Sequence, residues 1–204
     1  MNYKTEQENF WAKDFGNEYP ARNTGEKLVS VNVAIFSKIL KNCPFIESVA
    51  ELGCNIGLNL MALNRINKNL SLRGYEINKK AAAVAQKENI AEIINTTVVD
   101  PLDLSKKFDL TFTKGVLIHI NPDLLPAVYQ NLYDLSNRYI MVYEYYNPTP
   151  VSVEYRGHQN RLFKRDFAGE LIDKYNLKLI DYGFNYKREK YYPHDDATWF
   201  LLEK

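Results

Sequence analysis

Residues 48–57, SVAELGCNIG, decide the fold. Val49 to Leu52 is an apolar run with one acidic residue, Glu51, inside it. It leads into Gly53 and Gly57, after which Leu58, Met61 and Ala62 recur at helical spacing. The reading is strand, glycine turn, helix. Gly53 is free to take backbone angles closed to other residues, and Gly57 lets the turn approach a bound molecule without a side chain in the way. A turn so built, at the carboxyl end of a strand, is expected to face a ligand.

Outward from this turn the chain alternates strand and helix as an open α/β sheet does. Strands are expected at 72–77, 93–99, 108–113 and 139–143, with helices at 79–89 and 124–135. Upstream, Thr5 caps a first helix that shows Phe10 and Trp11 to the core and ends near Gly16, and a second helix runs from about Gly25 to Lys41. The polar piece between them, EYPARNTG, reads as a loop carrying Tyr19 and Arg22. Downstream of Glu144 the composition turns aromatic, proline-rich and basic (YYNPTPVSVEYRGHQNR), which reads as a long binding loop. A helix at 164–175 and strands at 177–182 and 198–202 complete the chain. No repeat or linker interrupts it, so one domain is expected over 1–204. It comprises a helical cover (1–44), a ligand-binding core (45–145), a lid (146–163) and a closing helix with hairpin (164–204).

Composition narrows the partners. The 26 Lys and Arg against 25 Asp and Glu leave no global field to draw nucleic acid or anionic lipid. The chain starts without the apolar stretch of a signal peptide, and no segment approaches a membrane span. Two cysteines, Cys43 and Cys54, read as reduced thiols. A cytoplasmic protein working on a small molecule is the expectation, with no metal site.

Open parallel sheets bind beyond the carboxyl ends of their strands. Glu51, Glu76 and Asp100 sit at or near three such ends. Glu76, some twenty residues past the glycine turn, is placed to accept both hydroxyls of an adenosine ribose, and Asp100 to accept from an adenine amino group. The turn itself selects the cofactor. A dinucleotide fingerprint needs three glycines around a pyrophosphate, whereas here the turn is GCNIG, with Asn55 in the middle. Glu51 ahead of the first glycine repels phosphate but suits the ammonium of an amino-acid cofactor. S-adenosylmethionine is therefore expected, with Arg22 clamping its carboxylate while Tyr19 and Trp11 close over it.

ELGCNIG resembles the first signature of class I S-adenosylmethionine-dependent methyltransferases, GYEIN their second, VVDPLD their third and FDLTFTKGVLIHI their fourth. That resemblance implies a Rossmann-like α/β fold, a seven-stranded, mostly parallel sheet with helices on both faces and a C-terminal antiparallel hairpin. It adds Cys54, Ile77 and Pro101 to the cofactor residues, and Lys114, which follows the fourth strand, is expected near the cofactor by its position. More narrowly, EYYNPTPVSVEYRGHQNRLFKRDFAGEL and DDATWFLLEK are similar to the methylases associated with pseudaminic acid biosynthesis, which implies a nonulosonic acid pathway as context.

Methyl transfer from a sulfonium needs alignment and exclusion of water, and a base only where the acceptor carries a proton. Of three histidines, His158 in the lid is expected to touch substrate, and His119 lies after the fourth strand near the methyl group. Tyr145, Tyr146, Asn147, Tyr155, Arg156 and Arg161 offer aromatic walls and guanidinium forks for a sugar ring bearing a carboxylate or phosphate. Two rival functions are a nucleic-acid methyltransferase using the same loop on a single strand, and a cofactor-binding protein without turnover.

Overall fold

The computed structural model describes residues 3–22 and 25–204, without the side chains of Asp14 and residues 20–22. The glycine turn lies where the sheet reverses its winding. Strand β1 (Ser48–Leu52) pairs in parallel with β2 (Ser71–Glu76) on one side and with β4 (Phe108–Lys114) on the other. The full order is β3-β2-β1-β4-β5-β9-β8, with β3 at Glu92–Asn95, β5 at Ser136–Glu144, β8 at Lys178–Asn185 and β9 at Ala197–Glu203. Only β9 runs against its neighbours, pairing antiparallel with β5 and β8. The seven-stranded mixed sheet with its closing hairpin is as expected.

Strand alternation sends buried side chains to two cores. Val49, Tyr139, Met141 and Trp199 meet α3 (Glu26–Leu40), α4 (Leu58–Ile66) and α5 (Lys79–Lys87) on one face. Ala50, Leu52, Ile140 and Val142 meet α6 (Leu125–Leu135) and α7 (Phe167–Tyr175) on the other. Cys43 and Cys54 are buried free thiols. Among the described residues no helix is long and apolar enough to cross a membrane.

Three local readings are corrected. The first helix does not run to Gly16. It is α1 (Glu6–Ala12), begun by a capping box in which Thr5 and Glu8 satisfy each other's backbone N–H, and it breaks at Lys13 into α2 (Asp14–Arg22). The expected loop EYPARNTG is therefore largely helical. Asn78 holds the break: its amide donates to the Trp11 carbonyl at 3.1 Å while its Oδ1 caps α5 by accepting from Ala81 N. The third strand stops at Asn95, whose side-chain amide donates to the Glu76 and Ile77 carbonyls; Thr96 N still donates to the Glu76 carbonyl at 3.0 Å, and residues 97–99 line the site. The long loop is a hairpin of β6 (Val151–Tyr155) and β7 (His158–Lys164), a separate two-stranded sheet. Arg156 (φ 51°) and Gly157 (φ 82°) make its two-residue turn, the left-handed pair a tight hairpin requires. Because β7 extends to Lys164, the helix expected there starts at Phe167, capped by Asp166.

Candidate functional site

Two cavities adjoin at the carboxyl ends of β1, β2 and β4. The first, about 140 Å³, lies over Glu76, Ile77 and Gly53, between residues 97–99 and the segment following β4. The second, about 570 Å³ and more polar, lies between the glycine turn, the end of β5, the 156 turn and residues 193–197. Tyr19, Gly53, Asn55, Lys114, Gly115 and His119 line both, so the two share a wall.

The glycine turn builds the floor. Gly53 has φ 83°, and a Cβ there would come within 2.5 Å of Val116 Cγ2, so only glycine lets the segment after β4 close down on the turn. Asn55, at φ 48°, donates its backbone N–H to Glu76 Oε2 at 2.7 Å. Asn78 N donates to the other oxygen, Oε1, also at 2.7 Å. Glu76 is thereby pinned at the end of β2. Burial pushes its carboxyl up from the ordinary value, opposed by these backbone donors. Gly57 has a different role from the one expected: it starts α4 in the left-handed region and faces Ala85 of α5, so it serves helix packing and not a ligand.

Glu51 is completely buried and lines neither cavity. Asn59 donates to its Oε1 at 2.5 Å and itself lines the second cavity, while Oε2 has no partner. Burial pushes this carboxyl up to about 8. The sequence places an acid here correctly in the strand, but the pleat turns it behind Asn59 and away from direct contact with a ligand.

On the far side Glu144, at the end of β5, accepts the backbone N–H groups of Val116, Leu117 and Ile118 and holds that segment in place. Burial pushes its carboxyl up to about 7 against these donors. His119, in the same segment, packs against Trp11 and Tyr155 and donates from Nδ1 to the Arg161 carbonyl at 2.6 Å. Burial holds it down to about 4, so it is neutral.

Several expected site residues stand elsewhere. Asp100 is paired with Lys4, and neither it nor Pro101 lines a cavity; Thr97, Val98 and Val99 occupy that wall because β3 ends early. His158 packs against Phe10 and Phe15 and lines neither cavity. Arg161 is committed to Glu6 at 3.0 Å and lies over the Phe10 ring. Tyr146 packs on Phe200, and Asn147 donates to the Thr149 carbonyl within its own turn. Tyr155 lines the second cavity, while His158, its cross-strand partner beside the turn, and Arg161 meet Phe10 and Glu6 of α1. The Arg22 side chain lies outside the described residues. Tyr145, Tyr155, Arg156, Cys54 and Lys114 do line the second cavity, and Ile77 the first.

The structure adds residues that carried no signal in sequence. Lys114 Nζ lies 2.8 Å from His194 Nε2 and above the Tyr143 ring at 4.9 Å, and Asp195 accepts from Tyr145 Oη at 2.8 Å. His194 and Asp195 precede β9, about eighty residues from Lys114. Only the antiparallel insertion of β9 beside β5 brings them together.

No protein-family model and no curated protein matches the sequence. Solved structures do match in fold. A magnesium protoporphyrin IX methyltransferase (ChlM) from Synechocystis PCC 6803 with bound SAM superposes with TM-score 0.69 at 13% identity, covering 100% of both chains. Streptomyces venezuelae DesVI gives 0.67 at 12%, covering 93% of this chain and 98% of that one. The plantazolicin methyltransferase BpumL in complex with SAH gives 0.66 at 14%, covering 97% and 93%. At these identities the likeness is one of fold, the Rossmann-like fold of class I methyltransferases.

Proposed function

We propose that this chain is an enzyme that transfers a methyl group from S-adenosylmethionine to a small anionic, sugar-like acceptor, of the kind that nonulosonic acid pathways handle. The observation that carries this reading is the carboxylate of Glu76, pinned by two backbone donors at the floor of an apolar cavity that opens directly onto a polar one. Each of its oxygens uses one acceptor position on the backbone and has capacity for another, which suits a vicinal diol.

The residues fit the cofactor. Ile77, Val98, Val99 and Leu124 offer apolar contact to an adenine, and Gly53 and Gly115 bring bare backbone to the shared wall. Among the described residues Lys114 is the one Lys or Arg side chain lining the first cavity, so there is no set of cations for a pyrophosphate. When bound, S-adenosylmethionine supplies an electrophilic methyl group on a sulfonium. The protein's part is to orient the acceptor and exclude water. Arg156 and Lys187 at the second cavity are the groups for an anionic acceptor, and Tyr19, Tyr145 and Tyr155 form aromatic walls around it.

Calorimetric titration with S-adenosylmethionine and with a dinucleotide tests the cofactor: binding of the first and not the second is expected, and the reverse would overturn the reading. Incubation with methyl-labelled cofactor and an extract of the source cells, followed by mass identification of the product, tests the acceptor. A product without an anionic group would overturn that part.

A further inference from the structure

Lys114 ends β4 with its side chain on the wall shared by the two cavities. Its Nζ lies 2.8 Å from Nε2 of His194. The other ring nitrogen of His194, Nδ1, accepts the backbone N–H of Asp195 at 2.8 Å, so Nδ1 presents a lone pair and carries no proton. A neutral imidazole holds one proton. It is therefore on Nε2 and directed at Nζ. An ammonium has three donors and no lone pair to receive it, whereas an amine has one. The contact is complete only with Lys114 uncharged.

We propose that Lys114, as a free amine, is the general base of the methyl transfer, that His194 is the residue that positions it by donating Nε2–H, and that the acceptor is accordingly a hydroxyl or an amine. This rests on the S-adenosylmethionine reading above. In the step, the bond from the methyl carbon to sulfur breaks with its electron pair staying on sulfur, and a bond from the acceptor oxygen or nitrogen to that carbon forms. The acceptor's proton passes to Nζ, which leaves the step as an ammonium.

The surroundings agree. Burial holds Lys114 down to about 8, against Glu51 of β1, Glu144 of β5 and Asp195, all of which favour the ammonium. Burial, with the Lys114 charge as a second cause, holds His194 down to about 4. A lysine titrating near 8 is about one-tenth free amine at pH 7, roughly 300-fold more than one titrating at 10.5. His119 and Glu144 are the competing bases at the second cavity. His119, held down to about 4, binds a proton too weakly to drive the transfer, and Glu144 is engaged by the backbone N–H groups of Val116, Leu117 and Ile118. Tyr143, whose ring lies 4.9 Å from Lys114 Nζ, also lines the second cavity.

The test is a nuclear magnetic resonance titration of the full-length chain labelled with 13C-lysine, without cofactor. One ε-carbon resonance, identified by its absence from Lys114→Met, should titrate near 8. In His194→Phe, which keeps the bulk and removes the donor, it should titrate at least one pH unit higher. Titration near 10.5 in the wild type, or a downward shift in His194→Phe, would overturn the proposal, because the imidazole would then be accepting from an ammonium. With labelled cofactor and cell extract, turnover should rise about tenfold per pH unit from 6 to 8 and then level, and His194→Phe should move that midpoint upward. A flat profile would overturn the role of Lys114 as base. Failure of the cofactor reading is separately visible as absence of S-adenosylmethionine binding by calorimetry, which leaves the lysine titration unaffected.

Discussion

Replacing Glu76 with glutamine tests the centre of the site with almost no change of shape. In the wild type each carboxylate oxygen accepts one backbone N–H at 2.7 Å, from Asn55 in the glycine turn and from Asn78 at the start of α5. Glutamine offers one oxygen and one amino group, so one of those two N–H groups faces a donor. A hydrogen bond to a charged acceptor contributes about 1.5–3 kcal/mol, and the stranded donor adds to its loss. The side chain edges a cavity that water can enter, so a net cost of about 2 kcal/mol is expected, which for a domain of this size lowers Tm by roughly 4–8 °C. Affinity for S-adenosylmethionine should fall by one charge-assisted bond to the ribose, about 10- to 150-fold. Adenosine should lose the same factor, because it carries the same diol. Calorimetric titrations with both ligands, alongside thermal unfolding, separate the roles. A lowered Tm with unchanged affinities would refute the ribose contact while leaving the pinned turn standing, and an unchanged Tm would refute the pinned turn.

Gly53→Ala combines a positive φ with a Cβ 2.5 Å from Val116 Cγ2, and urea unfolding should show a loss of about 3 kcal/mol; a loss below about 1 would contradict the closure of that segment on the turn. Arg156→Ala should raise the acceptor's KM by about tenfold or more, since the residue lines the second cavity, whereas Arg161→Ala, whose guanidinium is committed to Glu6, should leave KM within about twofold. Steady-state kinetics on the labelled acceptor decide, and equal effects would sink the distinction. Burial pushes the Glu51 carboxyl from 4.5 to about 8, so between those values the folded chain keeps a proton that the unfolded chain has released. The stability this group contributes is full below about 4.5 and is lost as pH rises through 8. Glu51→Gln mimics the protonated form, so its Tm relative to the wild type should improve from pH 5 to pH 8; a difference that stays constant would show that Glu51 is ionised throughout.

The parts of this protein legible in its sequence are those fixed by neighbours along the chain. The strand-glycine-helix run at 48–57, the alternation that follows it and the acid at the end of β2 all depend on local periodicity and backbone freedom, and the structure places them as read. Site residues depend on contacts between distant segments, and there the reading divides. Asp100 reads as the end of the third strand, but β3 stops at Asn95, where the side-chain amide donates to two carbonyls of the β2 end, and the wall passes to residues 97–99. Arginine and histidine in the 145–161 stretch read alike as composition. Once the stretch is an irregular hairpin, Tyr155 lines the second cavity and Arg161 pairs with Glu6 on α1, a division that composition does not show. Glu144 follows the strand read at 139–143, and only the three backbone donors from 116–118 reveal that it positions the segment bearing His119. His194 is the furthest case. Nothing near it in sequence marks it, because its tautomer is set by the next residue's N–H and its partner is the lysine that closes β4. The antiparallel strand β9, placed beside β5, is what carries it there. The same sheet order that identifies the fold thus brings His194 to the lysine whose amine form is the proposed base.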